Sequence, residues 1–262
     1  MIWMDQGFAQ KLPRPWRSMD DAFSITGKIY REPAGANRRT LRFELAGEGY
    51  FLKLHWGVGW KEILKNLLSL RLPVLGASNE WRAISRLHEL GLETMSLAAY
   101  GQAGRNPAAL KSFVVTRELV DTVSLEDYCA DWLEHPPPFA ARQNLIRRVA
   151  EITRTLHQHG LNHRDLYICH FLLQQPWNGD DESLHLYLID LHRVQIRHST
   201  PQRWRVKDVG ALYFSVLDAG LSQRDLLRFI RVYSQRPLRQ ALAEEKVFWQ
   251  AVVRRAQALY EE

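Results

Sequence analysis

The chain reads His163-Arg164-Asp165-Leu166-Tyr167-Ile168-Cys169-His170 directly after a long stretch of helical periodicity. Twenty-five residues beyond Asp165, an apolar stretch ends in Asp190. Two carboxylates so placed suit phosphoryl transfer. That reaction needs one carboxylate to orient and deprotonate an attacking hydroxyl, and a second to hold Mg²⁺ across the nucleotide phosphates. Asp165 fits the first role and Asp190 the second. Upstream, Lys53 falls on the third expected strand, where a lysine can grip the α- and β-phosphates of ATP. Glu80 shares a helix face with Ile84 and Leu87, so it points inward, and an inward carboxylate needs a cation. Lys53 is its natural partner.

Each of these residues alone has an ordinary explanation. A strand lysine is usually solvated, a glutamate in a first helical turn is favoured by the helix dipole, and an aspartate can close a turn. Together they follow the order of the kinase set, with H-R-D-L-x-x-x-N and the metal-binding aspartate after the next hairpin. There are two departures. No G-x-G-x-x-G is present, and the expected phosphate-covering loop is Glu32 to Arg39, with Gly35 its one glycine and Arg38 or Arg39 beside the phosphates. Glu118 and Leu119, which follow the apolar strand Ser112 to Thr116, join Lys53, Glu80 and Gly35 in the expected nucleotide-binding set. His170 stands where the motif has Asn. Mg²⁺ prefers oxygen donors, so His170 is expected to orient Asp190 or a phosphate, and is only a secondary candidate for the metal beside Asp190.

Arg193, Arg197, Arg203 and Arg205 follow Asp190 in the segment where kinases hold the acceptor, and are the candidate substrate contacts. Asp208 opens the next helix and resembles the buried aspartate that braces a kinase catalytic loop. The segment from Asp190 to Asp208 is short and lacks A-P-E, which argues against a phosphorylation-switched protein kinase.

Several elements must position these side chains. Leu41, Phe43 and Leu45 alternate with Arg42 and Glu44. After the turn at Ala46-Gly47-Glu48-Gly49 comes Tyr50 to Leu54, so Thr40 to Leu54 reads as a β-hairpin, with Ser24 to Arg31 as a further strand. Gly57 to Ser78 reads as a basic amphipathic helix, with Lys61, Lys65 and Arg71 beside Leu64, Leu67, Leu68 and Leu70, and then an apolar loop at Pro73. A clearer helix runs from a cap at Asn79 to Gly91. Ser124 to Trp132 reads as a helix broken by three prolines. A long helix from about Ala140 to His159 is closed by Gly160. Short strands follow around Phe171 to Leu173 and Leu186 to Ile189, and Lys207 to Tyr260 reads as helices. A strand-rich part followed by a helix-rich part predicts an α+β, two-lobed protein-kinase-like fold: a small antiparallel-sheet lobe over 1–119 and a helical lobe over 120–262, sharing a cleft.

Composition bounds the rest. In 262 residues, 46% are hydrophobic and 24% charged, which suits a globular core and excludes a disordered or collagen-like chain. Cys129 and Cys169 lie far apart without a CxxC pattern, so neither a disulfide framework nor a zinc site is expected, only reduced thiols. No signal peptide or membrane-spanning run is read, and the expected location is cytoplasmic. The net charge is +6, carried by 27 Arg against 8 Lys. Arg binds phosphate or carboxylate oxygens bidentately, so an anionic partner is expected. Charge alone leaves open a phosphorylated ligand, an acidic protein, an anionic membrane or nucleic acid.

The stretches LLSLRLPVLGASNEW, SLEDYCADW, NHRDLYICHFLL, LIDLHR and RWRVKDVGALYFS resemble the lipopolysaccharide core heptose(I) kinases of Gram-negative bacteria, over nearly the whole chain. The resemblance implies ATP-dependent phosphorylation of the first inner-core heptose at its 4-hydroxyl, on the cytoplasmic side of the inner membrane. It carries the catalytic aspartate onto Asp165 and includes His170 in the family pattern. The anionic glycolipid acceptor suits the arginines, and no nucleic-acid partner is then required. A kinase of another small molecule or of protein would share the four catalytic residues, whereas a basic scaffold or nucleic-acid binder would not need them. The 57–78 segment exceeds what catalysis needs. Its apolar surface rimmed by cations is expected to meet the inner-membrane surface or an acidic, acyl-bearing protein, unless it packs on the sheet.

Overall fold

The chain opens with a strand, β1 (Ile2–Met4), and two short helices, α1 (Gln6–Lys11) and α2 (Met19–Phe23), none of which the periodicity predicts. They are too short to show a period: β1 is held by pairing to β5, and α1 and α2 are set by local capping. The Asp5 side chain accepts from the Phe8 amide, and Phe8 is fully buried. The computed structural model describes residues 1–32, 37–68 and 76–262. Gly35 lies outside these residues, as do Leu70, Arg71, Pro73 and the side chain of Leu67. By Cα packing the chain divides into two units, Met1–Leu87 with Met95–Leu119, and His88–Thr94 with Val120–Glu262.

The first unit is built on one antiparallel sheet. It comprises β1, β2 (Lys28–Arg31), β3 (Arg38–Leu45), β4 (Glu48–His55), β5 (Leu97–Ala103) and β6 (Lys111–Arg117), in the order β1-β5-β6-β4-β3-β2. The hairpin read from alternation is β3–β4, with Thr40 opposite Lys53 and Leu41 opposite Leu52. Period-2 alternation sends Tyr50, Leu52 and Leu54 into the core. There Phe8 packs edge-on against Tyr50 and Trp16, and Trp16 edge-on against Phe113. Lys53 therefore faces the other side of the sheet, which α3 (Gly59–Leu68) and α4 (Ser78–Glu89) follow in the chain.

The second unit is mainly helical. Its strands are β7 (Thr122–Ser124), β8 (Leu161–Asn162), β9 (Phe171–Gln174), β10 (Leu186–Leu188) and β11 (Gln195–Ile196), and they pair antiparallel as β10-β9-β7 and β11-β8. Its helices are α5 (Leu125–Tyr128), α6 (Phe139–Gln158), α7 (Gln202–Phe214), α8 (Gln223–Ser234), α9 (Leu238–Glu244) and α10 (Lys246–Tyr260). The helix expected to reach Trp132 stops at Tyr128. The Cys129 amide bonds back to the Leu125 and Asp127 carbonyls, and a four-residue turn from Cys129 to Trp132 follows. Val209, Tyr233, Phe248, Trp249 and Val252 form the core between α7, α8 and α10. A Cβ at Gly210 would lie 2.9 Å from the Arg255 Cβ, so only glycine lets α7 and α10 close to this distance. Cys129 and Cys169 are free thiols, and burial pushes Cys129 up to about 12. No helix among the described residues is long and apolar enough to cross a membrane.

Candidate active site

In the first unit Lys53 Nζ lies 2.5 Å from Glu80 Oε1. The lysine side chain is partly exposed, whereas that of Glu80 is 1% exposed. Glu80 Oε2 has no hydrogen-bond partner among the described residues, so Lys53 carries most of the compensation for burying this carboxylate. Glu118 accepts from Arg42 Nε at 2.8 Å, while its amide donates to the Gly49 carbonyl at 2.9 Å. A Cβ at Gly49 would collide with the Glu118 carboxylate at 1.8 Å. The side chain of Glu118 is thus spent on the β3–β4 hairpin, and what it can offer a nucleotide is backbone. Leu119 ends this unit. Arg39 is paired to Glu32 and stacks over Trp56.

In the second unit the loop after β8 is held from inside. Asp208, fully buried on α7, accepts from the amides of His163 at 2.6 Å and Arg164 at 2.8 Å. Arg164 sits at φ 77°, a conformation L residues resist, and the Asp208 clamp holds it. Behind Asp208 runs a buried chain: His157 Nε2 to Asp208 at 3.3 Å, Tyr233 hydroxyl to His157 Nδ1 at 2.8 Å, and Arg205 Nε to the Tyr233 oxygen at 3.1 Å. Every proton finds an acceptor if Arg205 donates to Tyr233, Tyr233 to His157, and His157 to Asp208. Burial pushes Tyr233 up to about 12, which keeps its hydroxyl a donor.

Asp165 follows this clamp, with both its oxygens facing Arg193 Nη1 at 2.6 and 2.9 Å. Asp190 sits at φ 60° and ψ 48°, a left-handed geometry that Asp tolerates better than most residues. One Asp190 oxygen meets His192 Nδ1 at 2.6 Å, and the other lies 3.6 Å from His170 Nε2. His170 donates from Nδ1 to the Asp165 carbonyl at 2.7 Å, so it links the backbone of one aspartate to the carboxylate of the other. His163 stacks on His170 with centroids 5.8 Å apart and donates from Nε2 to the Ile189 carbonyl at 3.0 Å. Its Nδ1 is buried without a partner among the described residues. Burial lowers the His163 pKa, because a proton on Nδ1 would have no acceptor.

The structure thus joins Lys53 to Glu80, and Asp165 to Asp190 through His170. Arg193 lies on Asp165. Arg197 and Arg203 gather at Trp204. Arg205 is seated instead among Tyr233 and Phe248, as a cation of the helical core. His192 and Trp204 were not legible as site residues. The one sequence signal for either was adjacency: His192 two residues after Asp190, and Trp204 among arginines.

The donor set for Mg²⁺ is oxygen-poor. No group of three or more His, Cys, Asp or Glu among the described residues could hold a metal alone. The Asp190 carboxylate fits an ion that takes its remaining ligands from nucleotide phosphates and water, as Mg²⁺ does.

The family model described as "Lipopolysaccharide kinase (Kdo/WaaP) family" matches residues 21–233. The chain is 53% identical over 240 residues to the lipopolysaccharide core heptose(I) kinase WaaP of Pseudomonas aeruginosa, covering 91% of this chain and 88% of that protein. It is 51% identical over 234 residues to the Escherichia coli enzyme of the same name, covering 88% of each chain. A solved structure titled "WaaP in complex with acyl carrier protein" matches with a TM-score of 0.84 and 43% identity, over 99% of both chains. The helical unit with its braced Asp165 loop, the sheet unit with its Lys53–Glu80 pair, and these matches lead to one conclusion: the chain belongs to the lipopolysaccharide kinase (Kdo/WaaP) family, whose members are phosphotransferases that use ATP.

Proposed function

We propose that this protein is a lipopolysaccharide core heptose(I) kinase that transfers the γ-phosphoryl group of ATP to the 4-hydroxyl of the first inner-core heptose, at the cytoplasmic face of the inner membrane. The observation that carries the reading is Asp165, presented on a loop that Asp208 clamps and oriented by Arg193. In this role the carboxylate accepts the hydroxyl proton as the oxygen attacks phosphorus, while the Asp165 backbone is held by His170. Lys53, kept in place by Glu80, offsets charge on the nucleotide phosphates. Asp190 holds Mg²⁺, which supplies charge neutralisation on the phosphate oxygens. His192 and His170 keep the Asp190 carboxylate aimed. The test is mass spectrometry of delipidated core oligosaccharide incubated with the protein and ATP. A gain of one phosphate on the heptose supports the reading, and no gain overturns it.

The solved relative in complex with acyl carrier protein supports a second element of the proposal, an acyl carrier protein as partner. An acyl chain needs a dry cavity. The helical unit has one of about 180 Å³, lined by Leu145, Val149, Leu212, Leu226, Phe229 and Val253 among others. We assign the acyl chain there. The exposed face of α3, with Trp60, Leu64 and Leu68 beside Lys61 and Lys65, is left for the membrane surface. Filling the cavity with Leu226→Phe should weaken capture of acylated carrier protein and spare vesicle binding. Leu64→Glu with Lys61→Glu should do the reverse.

A further inference from the structure

We infer that Glu93 and Thr94 are positioning residues for Asp190: they clamp the outward edge of β10, the strand that leads into this aspartate, and so preset the carboxylate that holds Mg²⁺. The inference rests on the reading of Asp190 proposed above and adds to it the residues that keep its strand in place.

β10 is three residues long and stands at the edge of the sheet β10-β9-β7. Its inner edge pairs with β9, with Leu186 opposite Leu173 and Leu188 opposite Phe171. Leu186 and Leu188 are fully buried, and a buried strand edge cannot leave its backbone groups to water. Glu93 and Thr94 supply the partners. The Leu186 amide donates to Glu93 Oε2 at 2.8 Å, and the Leu188 amide donates to the Glu93 carbonyl at 2.9 Å. The Thr94 hydroxyl donates to the Leu188 carbonyl at 2.6 Å. Two consecutive residues thus take both backbone groups of Leu188 and the amide of Leu186, which are alternate residues of one strand.

The clamp is itself fastened. Glu93 Oε1 lies 2.5 Å from Nδ1 of His185, the residue before the strand. Thr94 is 4% exposed, so its hydroxyl has little access to water in place of the Leu188 carbonyl. Residues 88–94 lie in the chain between two stretches of the sheet unit, yet they belong to the helical unit, and these bonds to β10 run within it.

Asp190 comes two residues after Leu188. Between them the Ile189 amide donates to the His170 carbonyl at 2.9 Å, and the Ile189 carbonyl accepts from His163 Nε2 at 3.0 Å. Ile189 is therefore held by the loop of Asp165, and Leu188 by Glu93 and Thr94. Asp190 then turns at φ 60° and ψ 48°. L residues resist that geometry, and it persists where the surrounding backbone is fixed. His192 and His170 aim the Asp190 side chain, whereas Glu93 and Thr94 hold the backbone that bears it.

The test uses the full chain, with Mg²⁺ and ADP as probes. Thr94→Val keeps the side-chain shape and removes the hydroxyl. It should raise the Mg²⁺ concentration for half-maximal ADP binding by roughly fivefold, the net worth of one hydrogen bond. It should also speed deuterium exchange at the Leu188 and Ile189 amides. Thr94→Ser returns the hydroxyl and should restore both readouts. ADP binding without Mg²⁺ should be the same in all these proteins. Should Thr94→Val not fold, Glu93→Ala decides by the same midpoint, which it should move in the same direction. Faster exchange with an unchanged Mg²⁺ midpoint would make the clamp a structural feature only and overturn the assignment. A shifted midpoint that Thr94→Ser leaves shifted would overturn it too. A midpoint that behaves as expected, in a protein that transfers no phosphate to core oligosaccharide, would overturn the heptose kinase reading and leave the clamp standing. Transfer with an unmoved midpoint would do the opposite.

Discussion

Arg193 Nη1 reaches both carboxylate oxygens of Asp165, at 2.6 and 2.9 Å, from a position twenty-eight residues later in the chain. A single cation on both oxygens fixes the plane of the carboxylate that, in the proposed reaction, meets the acceptor hydroxyl. Asp165→Asn should therefore fold normally and bind nucleotide, but lose about 10² or more in kcat, the worth of a positioned general base. Arg193→Ala should lower kcat by a smaller factor, and Arg193→Lys should restore part of it. Steady-state kinetics with saturating ATP check both. A kcat unchanged in Arg193→Ala would remove the arginine from the site.

The Lys53–Glu80 pair predicts a stability effect separable from catalysis. Lys53→Met leaves the Glu80 carboxylate buried at 1% exposure with no cation, and breaking a buried pair from one side costs about 3 kcal/mol. Lys53→Met/Glu80→Leu removes both charges and should be more stable than Lys53→Met alone. Both variants should be inactive. Thermal denaturation orders them, and a double variant less stable than the single one would refute the compensation argument.

Asp190 is steadied by His192 at 2.6 Å and faces His170 at 3.6 Å. Asp190→Asn should abolish turnover or raise the Mg²⁺ concentration needed for half-maximal rate by roughly tenfold or more, since an amide is a poorer ligand for a hard cation. His192→Ala should shift the same midpoint less, without changing KM for the acceptor. Magnesium titrations of the rate decide the matter. Unchanged metal dependence in Asp190→Asn would overturn the metal assignment.

His163 makes the helical unit sensitive to acid. Burial holds its pKa below the ordinary 6.5 in the folded protein, so the unfolded chain binds the proton more readily. Its contribution to stability is complete above about pH 6.5 and drains as pH falls toward the depressed value. Denaturant melts at pH 7.5 and 5.5 should show a loss. His163→Gln should be less stable at pH 7.5 but lose less on acidification. An equal pH slope in the two proteins would show that His163 is not the group responsible.

Asp208→Asn replaces one of two carboxylate oxygens, each of which accepts from a loop amide, with a group that donates. It should cost about 2 kcal/mol, the penalty for disturbing a buried hydrogen-bonded carboxylate. It should also lower kcat by releasing the Arg164 turn from its φ of 77°. Loss of stability with full turnover would separate the clamp from catalysis.

The amino-acid sequence by itself determined the elements whose period is long enough to be read and the residues whose order is chemical. The alternation from Thr40 to Leu54 dictates which face of the hairpin carries Lys53, and helical spacing from Glu80 to Leu87 dictates that Glu80 points inward, so this pair follows from periodicity alone. The identities of Asp165 and Asp190 follow from HRDL and from an apolar strand ending in a carboxylate. Elements of a few residues, such as β1 and the two-residue strands β8 and β11, have no period, and only tertiary pairing makes them. That pairing decides what no spacing could announce. Five arginine or lysine residues between Asp190 and Asp208 are equivalent in sequence. In the fold, Arg193 is drawn onto Asp165, Arg205 goes under the aromatic core at Tyr233, and Arg197, Arg203 and Lys207 are left around Trp204. The physical reason is that a charged side chain takes its role from the partner within reach. Reach is set by the β8–β11 register, the close approach of Gly160 to the Arg197 carbonyl and the Asp208 clamp, which are contacts between distant parts of the chain.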